Sequence, residues 1–225
     1  MIDLREQIAI QFYKNSQISR NEIFGNADYK YMPANYQEDA STMFAGFAGK
    51  NYKKNGVVLF GVNPGGGGDG YKKHPRDDEL YSQLKIFKNC NKKSSLIEFE
   101  KINVIFLPIL KEWNLWNILL PTLEALNINE NDIVYLNAIP YRTRENKKPP
   151  VYAQNISWSK IIQPTLNILK PKLIVCLGKK VGEIINRFNK NSEWNLIIIP
   201  RTNGDRYISE EAKKILQELQ NEYGT

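Results

Sequence analysis

Cysteine is scarce in this chain. Of 225 residues only Cys90 and Cys176 are cysteines, far apart and without a C-x-x-C pair. That excludes a four-cysteine zinc or iron–sulfur site. Cys176 lies in an apolar run and reads as a buried core thiol. His74 is the single histidine. A lone histidine makes no metal site, and in a loop it reads as a surface residue. No stretch is long and apolar enough to span a membrane. No signal peptide is seen, so with so few cysteines a cytoplasmic protein is expected. The chain has no G-x-x-x-x-G-K-[ST] phosphate loop and no G-x-G-x-x-G leading into an apolar helix. It has no internal repeat and no low-complexity linker. These absences point to no cofactor, no metal and no membrane partner. The expected particle is a monomer.

Charge of one sign is present in moderate excess. Lys and Arg number 31 against 24 Asp and Glu, a net charge of +7. Such an excess suits a polyanion, DNA or RNA. Many soluble proteins are equally basic, so charge alone does not decide the partner.

Apolar patterning decides more. Four short, β-branched runs appear at 56–60, 132–137, 172–177 and 195–199. Near-continuous apolar strands of this length belong in the middle of a sheet covered on both faces, usually a parallel one. Helical spacing lies between them. The pattern predicts helices over 113–126, 157–169 and 179–188, and a last helix capped by Ser209 and running through Leu219. The stretch 78–110 is mostly helical, with 102–107 open to either helix or strand. In the first fifty residues, helices are expected over 2–13 and 38–48. Strands alternating with helices imply βαβ units. The expected fold class is therefore α/β: three-layer α/β/α around a central four-stranded, mainly parallel sheet.

Ligands of open α/β sheets bind beyond the carboxyl ends of the strands. Those ends are Gly61-Val62-Asn63-Pro64-Gly65, continuing through a glycine run to Asp69 and Gly70; Asn137-Ala138-Ile139-Pro140-Tyr141-Arg142; Gly178-Lys179-Lys180; and Pro200-Arg201-Thr202-Asn203. They offer amide side chains, basic groups and open backbone. A glycine loop also occurs with no ligand at all. Here Pro64 fixes the chain directly after a buried strand, and Gly65 permits close backbone approach.

These four blocks, in this order, resemble the uracil-DNA glycosylase superfamily. Gly61–Gly65 is similar to the first motif of its mismatch-specific and single-strand-selective branches, G-[IM]-N-P-G. Residues 134–140 look like the strand carrying the base-reading asparagine. Residues 169–178 are similar to the family's KPKLIVALG strand. Residues 199–203 stand where the second motif, often H-P-S-P, is found, with Ile199 at the histidine position. The resemblance covers roughly 56–219. It implies one such domain over 1–225, with 1–50 as a helical N-terminal extension.

The resemblance implies a monofunctional DNA glycosylase that removes uracil or another deaminated or modified base from single- or double-stranded DNA. Such an enzyme extrudes the nucleotide into a pocket. It then positions a water and stabilises the departing base anion. Asn63 would orient the water. Being an amide it accepts no proton, which implies slower turnover than in branches with aspartate there. Asp69 would supply a nearby carboxylate, or is a plain turn residue. Gly61, Val62, Pro64, Gly65 and Tyr71 would line the base site. Tyr71 comes earlier than the family's stacking aromatic. Asn137 would read the base, since an amide matches the O4 and N3–H edge of uracil; alternatively it ends the strand by bonding its own backbone. Tyr141, Arg142, Lys179, Lys180, Pro200, Arg201, Thr202 and Asn203 would contact DNA. Each of the basic ones is otherwise an ordinary solvated side chain.

Two other classes stay open. Ile199 and the early aromatic suit a nucleic-acid-binding module without catalysis. The glycine run suits a small-molecule enzyme holding a phosphorylated ligand.

Overall fold

A computed structural model describes residues 2–65, 74–144, 147–190, 193–202, 205 and 207–224. Asp69, Tyr71 and Asn203 lie outside the described residues. In chain order the elements begin with α1 (Leu4–Ser16), α2 (Arg20–Phe24), α3 (Asp28–Tyr31) and α4 (Gln37–Ala40). Next come β1 (Phe47–Ala48), β2 (Val57–Gly61), α5 (Asp77–Asn89), α6 (Ser95–Glu112) and α7 (Trp116–Ala125). Then follow β3 (Ile133–Asn137), α8 (Val151–Ser157), α9 (Gln163–Leu169), β4 (Leu173–Leu177), α10 (Lys179–Phe188), β5 (Asn195–Ile199) and α11 (Glu210–Tyr223).

The fold is α/β around a mixed sheet of order β1-β3-β2-β4-β5. β2 lies between β3 and β4 and is parallel to both, and β4 is parallel to β5. The register sets Leu59 beside Tyr135 and Gly61 beside Asn137. β3 and β4 are buried along their whole length, as their unbroken apolar runs require. β5 has the same composition but is an edge strand, buried fully only at Ile199. α10 and α11 pack against it.

The sheet has five strands, not four. The added strand is β1, which pairs antiparallel with β3 through Phe47–Tyr135 and Ala48–Val134. It falls where a helix was expected over 38–48. Only the turn Gln37–Ala40 is helical there. Phe47 is buried in the core beside Phe106, and β1 satisfies backbone groups at the open edge of β3. Residues 1–50 also supply Ile8, Phe12 and Phe44 to the main core.

Residues 102–107 are helix, inside α6. The helix expected from 157 starts at Val151 and carries a π segment, Trp158–Ile162. Pro164 offers no N–H to the carbonyl of Lys160, so the α-helical bond pattern is interrupted there. α11 starts at the Ser209 cap, whose hydroxyl accepts from the Ala212 N–H, and it runs on to Tyr223.

Candidate functional site

The strand ends meet where β2 leaves the sheet. Beyond the last paired residues, the Ala138 N–H donates to the Gly61 carbonyl at 2.9 Å and the Ile139 N–H to Val62 at 2.8 Å. Two segments 76 positions apart in sequence (Gly61 to Asn137) thus run side by side past the sheet. Gly61 has a steric reason to be glycine. A Cβ there would sit 2.5 Å from the Tyr135 hydroxyl and 2.9 Å from Asn137 Oδ1. Both side chains lean across the β2 backbone, and only a residue without a side chain leaves them room.

Asn137 is 4 % exposed. Its Oδ1 accepts from the Tyr135 hydroxyl at 3.4 Å, and its Nδ2 has no hydrogen-bond partner among the described residues. Exchanging the amide O and N would only move the vacancy to the other atom. A buried amide group without a partner costs on the order of 1–3 kcal/mol. Native folds pair almost all such groups. Among the described residues Asn103 Nδ2, inside α6, is also buried without a partner, so what sets Asn137 apart is its place at the carboxyl end of a parallel strand.

Tyr135 was not singled out from sequence. Its signal is spacing: on a strand, residues two apart share a face, so Tyr135 and Asn137 point the same way. Burial pushes the Tyr135 hydroxyl up to about 12; nearby Arg201 opposes that rise and Asp205 adds to it. Arg201 therefore comes from the end of β5 toward the same hydroxyl. It is held by Asp205, with Nε donating to Oδ1 at 2.8 Å and Nη2 to Oδ2. Burial lowers the Arg201 pKa, but the hydrogen bond and charge of Asp205 outweigh it, leaving the guanidinium above its ordinary value. Asp205 is itself 5 % exposed, and its carbonyl accepts from Asn117 Nδ2 of α7 at 3.0 Å. The Arg201 stem passes over Gly178, where φ is +116° and a Cβ would meet Arg201 Cδ at 3.5 Å.

The structure brings together Gly61, Val62, Asn137 and Arg201, with Tyr135 and Asp205 added. Asn63 is half-buried, and its amide turns onto its own loop, donating to the Pro64 carbonyl at 3.0 Å. Pro64 is buried and Gly65 exposed. Pro200 is buried, and Thr202 Oγ1 donates to the Tyr207 carbonyl at 2.7 Å. Lys179 and Lys180 are exposed at the start of α10. Lys179 pairs with Glu211 of α11 at 2.8 Å.

Two expected DNA contacts lie inside the protein instead. Tyr141 is 1 % exposed, and its hydroxyl donates to the Ile18 carbonyl. Arg142 is 2 % exposed; it pairs with the fully buried Asp77 at 3.0 Å and stacks on Tyr81. Both are engaged with internal partners, so neither is offered to a phosphate or base. His74, read as a surface residue, is also largely enclosed. Its Nδ1 accepts from the Arg76 N–H, and its Nε2 bonds Glu112 at 2.8 Å, beside the start of α5.

Cys176 is fully buried and burial raises its pKa, as an inert core thiol requires. Among the described residues no group of three or more His, Cys, Asp or Glu could hold a metal ion. No helix among them is long and apolar enough to cross a membrane. Comparison with protein-family models and with curated proteins finds no match to this chain.

Proposed function

We propose that the protein is a DNA glycosylase that hydrolyses the N-glycosidic bond of uracil or another deaminated or modified base. One observation carries this reading: the buried, unpartnered amide of Asn137 at the carboxyl end of a parallel strand, beside a glycine that its neighbours require. A free donor there suits a base carbonyl, and a strand end of an α/β sheet is where a ligand is expected. The order of the four strand-end blocks supports the same reading. It carries with it a three-layer α/β/α arrangement like that of uracil-DNA glycosylases.

In this account Asn137 receives the extruded base and Asn63 orients the attacking water from the neighbouring loop. Arg201 stands at the rim. While Asp205 holds it, its position is set and its charge is partly spent, so it stabilises a departing base anion through space more than it grips phosphate. Lys179 and Lys180, at the amino end of α10, lie where backbone amides also favour phosphate.

The test is an abasic-site assay on oligonucleotides carrying uracil, hypoxanthine, xanthine or a modified pyrimidine, each single- and double-stranded. Alkali-labile breaks at one or more of these bases are expected. Intact strands in every case would overturn the proposal.

A second reading, nucleic-acid binding without catalysis, is favoured by Asn63. Its amide is engaged with Pro64 and cannot act as a base. Salt-dependent DNA binding that survives Asn63→Ala, with no base released, would select it.

A further inference from the structure

The opposite end of the sheet carries a feature the proposed chemistry does not use. Where β2 and β4 begin, a cleft of about 800 Å³ opens. Its rim carries Lys50, Lys53, Lys54 and Lys172, all exposed. Measured along β4 from Leu173 to Leu177, it lies roughly 13 Å from the carboxyl ends.

The rim charge is left uncompensated. None of the four lysines has a carboxylate partner among the described residues. Lys85, Lys111, Lys148 and Lys160, by contrast, each pair with a glutamate. One carboxylate lines the cleft, Asp132, and its Oδ2 accepts from the Asn129 N–H in a local turn. Four like charges in one concavity repel each other, and a bound anion relieves that repulsion.

The floor is apolar: Val57, Leu126, Ile128 and Leu173, with the half-buried Tyr223 at one side. Lys172 Nζ stands 5.3 Å from the Tyr223 ring centroid, which holds that cation at the rim. A cationic rim over an apolar and aromatic floor fits a ligand with phosphates at one edge and flat, weakly polar groups at the other. The volume is that of a small-ligand site, room for one or two nucleotides rather than a double helix. A single strand presents unpaired bases to such a floor, whereas a duplex hides them.

We propose that this cleft binds a short stretch of single-stranded nucleic acid, with backbone phosphates on Lys50, Lys53, Lys54 and Lys172. The site is separate from the one at the carboxyl ends, and the proposal does not rest on the glycosylase reading.

Fluorescence anisotropy of the full chain with a labelled oligodeoxythymidylate tests it. The wild type should bind with strong salt dependence. Lys53→Glu with Lys54→Glu should weaken binding at least tenfold. Lys50→Gln with Lys172→Gln should lower the slope of log K against log salt by about 1.4, two phosphate contacts at about 0.7 each. Lys101→Gln, at an exposed lysine of α6 that lines neither site, should leave binding unchanged. Thermal melts confirm that each variant is folded, and the glutamine pair serves if the glutamate pair is not. Unchanged affinity in a folded variant of either pair would overturn the proposal. So would duplex binding as tight as the single strand, or displacement of the oligonucleotide by inorganic phosphate or a mononucleotide at equal phosphate concentration.

Discussion

Arg20 and Asn137 are both buried beside the segment that follows β3, and they differ in one respect. Arg20 is fully engaged. Its Nε donates to Asp28, its Nη1 to the carbonyls of Ala40 and Arg142, and its Nη2 to the Tyr31 carbonyl. Its guanidinium also stands over the Phe24 ring. Asn137 keeps one amide group without a partner among the described residues. The first arrangement ties the N-terminal segments to the loop after β3. Burial lowers the Arg20 pKa and Asp28 opposes that, as expected for a desolvated cation with an adjacent anion. In the second, only the Asn137 Oδ1 is engaged, by the Tyr135 hydroxyl. Buried polar groups that are satisfied read as framework; an unsatisfied one at a strand's carboxyl end, unlike Asn103 inside α6, reads as a place held for something else.

If that contrast holds, the two regions should respond differently to substitution. The largest effect is expected at the framework. Arg20→Ala should cost about 3–5 kcal/mol, because Asp28 and three carbonyls lose their donor. Urea unfolding measures it, and a loss under about 1 kcal/mol would erase the distinction. Asn137→Ala should do the reverse. Base release should fall about 100-fold or more, as for loss of a donor aimed at developing charge, while stability changes by no more than about 1 kcal/mol. A large loss of stability would place Asn137 in the scaffold. Gly61→Ala should come next, at about 1–3 kcal/mol, since its methyl would overlap Tyr135 and Asn137. Pairing it with Tyr135→Phe should recover part of that loss.

Smaller effects sharpen the site side of the comparison. Asn63→Asp should leave the melting temperature near that of the wild type and raise turnover about tenfold or more, because a carboxylate accepts the proton an amide cannot. A fall in turnover with folding intact would contradict the water-orienting role. The smallest effect is in alkali. Tyr135 ionises near 10 in the unfolded chain and near about 12 when folded. The folded state therefore holds its proton longer, and stability present below pH 10 should decline as pH rises toward 12. Burial also raises Tyr52 and Tyr141, so the decline is shared. Tyr135→Phe should make it shallower, as followed by denaturation at stepped pH; an unchanged slope would show that Tyr135 is not held neutral by the fold.

Much of the scaffold was legible in the sequence. The four apolar runs are β2 to β5 within a residue or two, because β-branched runs of that length have few other ways to bury themselves. β1 was hidden: two residues give no periodicity, and its pairing is decided by the open edge of β3. The edge position of β5 was hidden too, since composition does not distinguish an edge strand from a central one when helices cover it. At the site, Gly61 and Asn137 were legible as strand ends, and the register brings them together. Tyr141 and Arg142 misled because an aromatic and a cation after a strand look like surface chemistry. Their partners, Ile18 and Asp77, are 123 and 65 positions away, beyond any local pattern. The Arg201–Asp205 pair was local enough to be found, at a spacing of four, but it occurs in a loop where that spacing carries no rule.

The most direct measurement is a side-chain amide NMR titration with uracil as free base, in wild type and in Asn137→Ala. One asparagine NH₂ pair, absent from the variant's spectrum, should shift on addition of uracil and stay in place on addition of an equal concentration of benzene. If that pair is unmoved by uracil, or moves identically with both, the amide is not held open for a base.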